Sequence, residues 1–223
     1  MKNIELLEKL KDIAKLVKNY SSKDKELEKL DDLILNVEGE ILKESYEGKT
    51  PKQRIDYAIK WHKKQLKTTR PILAYSCKDQ VEGYQVFTDC YFMIFLNEND
   101  FLPIPDYKEY ANGKVNFPNT LQLYKSIECG EEIKLDIKKI QSLLKIKNEI
   151  YTSYKNNKLY FNKKRFDDLL VLLNVKNNDN IKILIDNQIL KFIKNDNNKA
   201  IMIVGAHSQS EINIDFEELL IKE

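Results

Sequence analysis

Two histidines, His62 and His207, are the only side chains here that titrate near neutrality in their ordinary state. His62 follows Trp61 in a run of helical spacing. Proton transfer is open to it, but packing against its neighbours or sitting on a helix surface is the simpler reading. His207 lies in Ala206-His207-Ser208-Gln209-Ser210. A nucleophilic Ser208 or Ser210 would need an orienting acid and a formed pocket, and the sequence supplies neither. Adjacent carboxylates occur at Glu131-Glu132 and Asp167-Asp168. Neighbours on a helix point about 100° apart, so Asp167-Asp168 makes no joint metal site. Asp89, in Thr88-Asp89-Cys90, is more simply a turn residue that bonds its own backbone than a site residue. Cys77, Cys90 and Cys129 are odd in number and lack Cys-x-x-Cys spacing, which points to free thiols in a reducing compartment. Glycine-rich phosphate loops and a His-Glu-x-x-His motif are absent from the sequence. No catalytic residue, metal ligand or cofactor is expected, and the chain reads as non-enzymatic.

Charge offers a different chemistry. The 223 residues carry a formal net charge of +2. The distribution is uneven: residues 51–70 are net +6 and residues 136–205 net +7, while 1–50, 71–135 and 206–223 are all negative. The cations of the positive segments include Lys60, Lys63, Lys64, Lys67 and Arg70, then Lys138, Lys139, Lys145 and Lys147, then Lys163, Lys164 and Arg165. If the helices that carry them share one face of a sheet, that face is basic. Such a face suits phosphate contact, because neutralising phosphates releases counterions. The alternative is that lysine is the default solvated residue of a Lys-, Ile- and Asn-rich chain. Aromatics at Phe101, Tyr107, Tyr110, Phe117 and Tyr124 either stack on bases or a partner, or pack a long loop over the sheet. Packing is the simpler reading.

The elements that must position these residues follow from periodicity. Ile4, Leu7, Leu10, Ala14 and Val17 predict a helix over 3–19, and Leu27, Leu30, Ile34 and Val37 a second over about 23–37. Together they form an N-terminal helical hairpin over 1–48, closed by Gly39 and then Gly48-Lys49-Thr50-Pro51. Thr50-Pro51 starts a third helix through Ile55, Ala58, Ile59, His62 and Leu66, which Arg70-Pro71 ends. Strands follow at Ile72–Cys77, Tyr84–Thr88 and Tyr91–Leu96. Residues 97–130, punctuated by Pro103, Pro105, Gly113 and Pro118, read as a functional loop or insertion. Ile133–Leu135 is a short strand, and Asp136 caps a helix through Ile137, Ile140, Leu143 and Leu144. Ile150–Tyr154 and Leu159–Phe161 form a hairpin around Asn156-Asn157. Phe166, Leu169, Leu170 and Leu173 share a helical face that Asn174 closes. Alternation then runs through Ile181, Ile183, Ile185, a turn at Asp186-Asn187, Leu190, Phe192, and Ile201, Ile203. Asp215 with Glu218 suggests a capping box for a terminal helix, Phe216–Ile221, in a tail spanning 206–223.

Helix followed by three strands occurs at 52–96 and again at 163–205, an echo of pattern that suggests a duplicated unit. The fold class is α+β, with antiparallel strands and helices on one face. At this point RPILAYSCKDQVEGYQVFTDCYFMIFL (70–96) and KLYFNKKRFDDLLVLLN with the strands after it (158–205) resemble DNA sliding clamps and the clamp-like proteins of phages and mobile elements. The resemblance covers about 51–205. It departs from the family in the single domain, in the 97–130 insertion and in the acidic terminal helix. It implies an accessory protein of DNA replication or phage biology, contacting double-stranded DNA through Lys60, Lys63, Lys64, Lys67, Arg70, Lys138, Lys139, Lys163, Lys164 and Arg165. Homo-oligomers or a replication or host protein are the other implied partners. The alternative is a clamp-shaped protein-interaction module that binds no DNA. No apolar run reaches the roughly 18 residues of a membrane span. The first residues are an amphipathic charged run rather than a secretory signal, so a cytoplasmic location is expected.

Overall fold

The computed structural model describes residues 2–20, 25–46, 49–110, 117–178, 180–206 and 211–221. Its first elements are the helices α1 (Lys2–Tyr20), α2 (Lys25–Glu44) and α3 (Lys49–Gln65). α1 and α2 form the expected antiparallel hairpin around Leu10, Ala14 and Ile34. Lys11 pairs with Glu38 at 2.6 Å and Asn3 with Glu44 at 2.9 Å. The polar turn expected at 20–22 falls largely outside the described residues. α2 does not end near Val37. It continues through Gly39, where a Cβ would stand 2.6 Å from Ile59 Cδ1. Gly39 is thus a point of close approach between α2 and α3 rather than a boundary. α3 begins at Lys49, two residues before Pro51, the first helical position expected from sequence.

The strands are β1 (Tyr84–Thr88) and β2 (Phe92–Asn97), separated by the long connection with its short helices α4 (Tyr107–Tyr110) and α5 (Leu121–Lys125) from β3 (Glu131–Glu132). Next come α6 (Ile137–Lys147), the hairpin β4 (Glu149–Tyr154) and β5 (Asn157–Asn162), α7 (Lys163–Leu173), and the meander β6 (Ile181–Asp186), β7 (Ile189–Lys194) and β8 (Lys199–Ile203). Six strands form one antiparallel sheet in the order β1-β2-β8-β7-β6-β3, and β4-β5 pair separately. The molecule is α+β, as expected.

Period-two alternation sends Ile94 and Leu96, Leu190 and Phe192, and Ala200 and Met202 to one face. There they pack with α3, α6 and α7, and with Leu35 of α2. Met93, Phe95 and Ile201 point to the other face. The 97–130 connection covers that second face with Ile127 and Tyr124, whose ring lies 5.3 Å from Phe95 and 5.1 Å from Tyr84. Tyr107 and Phe117 stack on each other at 5.5 Å. Packing is therefore the role of these three aromatics, and the side chain of Tyr110 is outside the described set. The buried Lys191 ties the connection down, donating to the carbonyls of Ser126 at 2.9 Å and Cys129 at 2.7 Å.

Local chemistry explains most boundaries. Asp136 accepts from the Lys139 N–H at 2.9 Å and caps α6. Asn162 accepts from the Arg165 N–H and caps α7. Asn174 takes φ 59° while the Val175 N–H returns to the Leu170 carbonyl at 2.8 Å, the left-handed stop its type suggests. Several expectations need correction. Ile72–Cys77 is not a strand: Pro71–Ala74 winds as a 3-10 turn, with Leu73 N–H on Arg70 O and Tyr75 N–H on Ile72 O. Only Cys77 pairs with Val86 beside β1, and Ser76 bridges Asp106. The first helix-plus-strands copy therefore holds two full strands and one bridging residue, not three strands. The β4-β5 turn centres on Lys155-Asn156, both with positive φ, one residue before the expected pair. The short strand sits at Glu131–Glu132 rather than Ile133–Leu135. Asp215 does cap, accepting from Glu217 N–H, but the helix is one 3-10 turn, Phe216–Leu219. It stops there because Leu220 bridges Leu135.

Candidate nucleic-acid interface

α3 and α7 lie side by side and antiparallel on the helical face of the sheet. Arg54 donates twice to the Leu172 carbonyl, at 3.0 and 2.7 Å, and pairs with Asp100 at 3.0 Å. Burial pulls the Arg54 guanidinium below the usual arginine range, against the opposing pull of Asp100. One turn on, the Tyr57 hydroxyl donates to Asp168 at 2.5 Å, and burial raises its pKa strongly. Further along, Lys64 of α3 and Lys164 of α7 line one cleft and act on each other, with Asp168 pulling the other way. That positive neighbour, with burial, holds Lys64 below the usual lysine range. The end of α3 thus meets the start of α7, and the turn between β1 and β2 closes the third side.

A cleft of about 530 Å³ opens at this junction, lined among others by Lys64, Arg70, Asp89, Tyr91, Lys164 and Arg165. Four cations converge there. Arg70 sends Nη1 toward Cys90 Sγ at 3.4 Å, and the Arg165 guanidinium lies 3.1 Å from the centre of the Tyr91 ring. Lys64, Arg70 and Arg165 have no carboxylate within salt-bridge distance among the described residues, and Lys164 is 3.7 Å from Asp168. The carboxylate that lines the cleft, Asp89, is occupied as the sequence suggests: its Oδ1 accepts from the N–H groups of Tyr91 at 2.8 Å and Phe92 at 2.9 Å. Burial raises its pKa, with those backbone bonds opposing. The arrangement is a concave surface with four cations and two carboxylates, Asp89 acting on Arg165 and Asp168 on Lys64 and Lys164, and the positive excess suits an anion.

The other expected cations lie elsewhere. Lys60 is exposed on α3 and does not line the cleft. Lys63 pairs with Asp32 at 3.3 Å, and with Lys67 it lines a separate cleft against α2 that also holds Asp31. Lys163 faces Asp167 at 3.7 Å, beside a shallow site that includes Glu149. Lys138 and Lys139 are on α6, outside all of these. The helices do share one face, but acidic neighbours interrupt it, and Asp56 adds another by pairing with Lys43 at 2.6 Å. Positive charge therefore gathers at one junction rather than over the whole layer. Sequence reasoning did not single out Tyr91, because an aromatic at a strand start reads as core until Arg165 is placed over it.

His62 is buried, its Nδ1 donating to the Ala74 carbonyl at 2.8 Å and its ring edge-on to Tyr75 at 5.6 Å. Burial lowers its pKa. It is a packing histidine. His207, Ser208 and Ser210 lie outside the described residues. Cys77, Cys90 and Cys129 are free thiols. Among the described residues no cluster of His, Cys, Asp and Glu could hold a metal ion, and no helix is long and apolar enough to cross a membrane. No protein-family profile, curated protein or solved structure matches this chain.

Proposed function

We propose that this is a non-enzymatic accessory protein of clamp-like type, from DNA replication or phage biology, that contacts the nucleic-acid backbone through Lys64, Arg70, Lys164 and Arg165. The observation that carries the reading is the convergence of four cations from two helices and a loop on one cleft whose lining carboxylate is already bonded to backbone. Three of those cations have no carboxylate within salt-bridge distance among the described residues, and Asp89 and Asp168 act on Arg165 and Lys64 only from farther off. An anion between them relieves their mutual repulsion, and a polyanion does so with release of counterions. The duplicated-unit idea draws support from the way α3 with β1-β2 and α7 with β6-β7-β8 meet at the β2-β8 pairing, although the first unit has two full strands where the second has three. A second reading, a protein-interaction module, is favoured by one feature. Leu6, Ile13 and Leu16 on α1 and Leu33 on α2 are exposed apolar side chains on the N-terminal hairpin.

A salt titration of binding to labelled nucleic acid, with the oligomeric mass recorded in parallel, tests the first reading. Affinity that falls steeply with salt supports it. No binding at low salt rejects it in favour of the interaction module.

A further inference from the structure

The geometry points to a more specific ligand, resting on the polyanion reading above but departing from the duplex contact that the clamp resemblance implies: the α3–α7 cleft takes an unpaired nucleotide, so the protein prefers single-stranded nucleic acid to duplex. Tyr91 is 43% exposed although it adjoins a strand whose neighbours are buried. Its ring does not pack into the core. It carries the Arg165 guanidinium on one side, 3.1 Å from the ring centre. A flat aromatic ring with a flat cation over it, both at the wall of a cleft, is a stacking platform for a base, and every base has a π face to offer it. Around the platform stand Lys64, Arg70 and Lys164, placed for the phosphates on either side of that base. The volume of about 530 Å³ falls in the ordinary range for a small ligand, roughly 300–1,000 Å³. A duplex keeps its bases stacked and paired inside, where Tyr91 cannot reach them. An unpaired strand can turn one base out.

Arg165 anchors the platform on rigid structure. Its N–H is held by the Asn162 cap, so it belongs to the first turn of α7, and Tyr91 is fixed by the Asp89 turn and by the Ile203 N–H bond to its carbonyl at 2.8 Å. Removing the Tyr91 ring alters no charge and no backbone bond, which makes it a clean probe.

The experiment is fluorescence anisotropy with a labelled oligothymidylate and a labelled blunt duplex of equal length, at low and moderate salt. It uses the full chain and its Tyr91→Ala, Tyr91→Trp and Lys64→Glu/Lys164→Glu variants, each first shown folded by circular dichroism. The expected result is tighter binding of the single strand. Tyr91→Ala weakens it about tenfold or more with little change for the duplex. Tyr91→Trp retains it, and the charge reversal weakens both probes. Equal or tighter duplex binding, or single-strand affinity indifferent to Tyr91→Ala, overturns this inference and leaves the polyanion reading standing. Failure of both probes to bind at low salt overturns both.

Discussion

His62 shows how one buried side chain writes a pH dependence into the fold. The neutral ring donates to Ala74, and burial holds its pKa below the free value of about 6.5. The unfolded chain therefore takes up a proton before the folded one does. The stability this provides is fully present above about pH 6.5 and is lost as pH falls through the lower folded pKa. Urea unfolding midpoints measured between pH 5 and 7.5 should fall on the acid side. His62→Asn, which keeps a donor at the Nδ1 position, should flatten that fall. The cysteines give a second residue-scale test. Cys77 is buried, its thiol donates to Asp79, and burial pushes its pKa up to about 11. Cys90 and Cys129 are exposed. A thiol reagent should modify two cysteines quickly in the native protein and the third only after denaturant is added.

At the scale of elements, the antiparallel α3–α7 pair positions the cleft, and two features hold it. Arg54 crosses from α3 to the last turn of α7 and reaches Asp100. Arg54→Ala leaves the Leu172 carbonyl and Asp100 without their partner and should cost about 3 kcal/mol in urea unfolding, with the m-value unchanged. The second feature is the end of α7. Asn174 at φ 59° sits where Cβ crowding penalises most side chains. Asn174→Ala should cost about 1 kcal/mol while Asn174→Gly stays close to neutral. If both substitutions cost the same, the asparagine side chain rather than its backbone conformation is what matters.

For the whole molecule, the consequence of the fold is where charge collects. The chain is nearly neutral, yet the junction of α3, α7 and the β1-β2 turn brings four cations together against two carboxylates, Asp89 and Asp168. The logarithm of affinity against the logarithm of salt should be linear. Lys64→Glu/Lys164→Glu should weaken binding across sequences and lower that slope by about two, one for each phosphate that is no longer neutralised. The same reversal at Lys63, which is engaged by Asp32, should lower it less.

Much of the architecture was readable from residue order because local interactions decide it. The 3.6-residue spacing of Phe166, Leu169, Leu170 and Leu173, and the caps Asp136 and Asn174, define helices through interactions within a few residues. The alternation in Ile181–Asp186 and Ile189–Lys194 defines a hairpin for the same reason. Where local signals were thin, the reading slipped. Pro71–Ala74 winds into a 3-10 turn, and Gly39 is a point of helix–helix approach, because packing against elements far along the chain outweighs weak propensity. The basic character of 51–70 and 136–205 was visible in composition. Which lysines are paired was visible only in part: Lys163–Asp167 is an i,i+4 pair within α7, but Asp32 reaches Lys63 only through the packing of α2 on α3. The sequence by itself determined the α+β class and the segments that carry positive charge. Only the tertiary structure decided that Lys64, Arg70, Lys164, Arg165 and Tyr91 meet in one cleft, because Coulomb forces and stacking act through space between residues up to about a hundred positions apart in the chain.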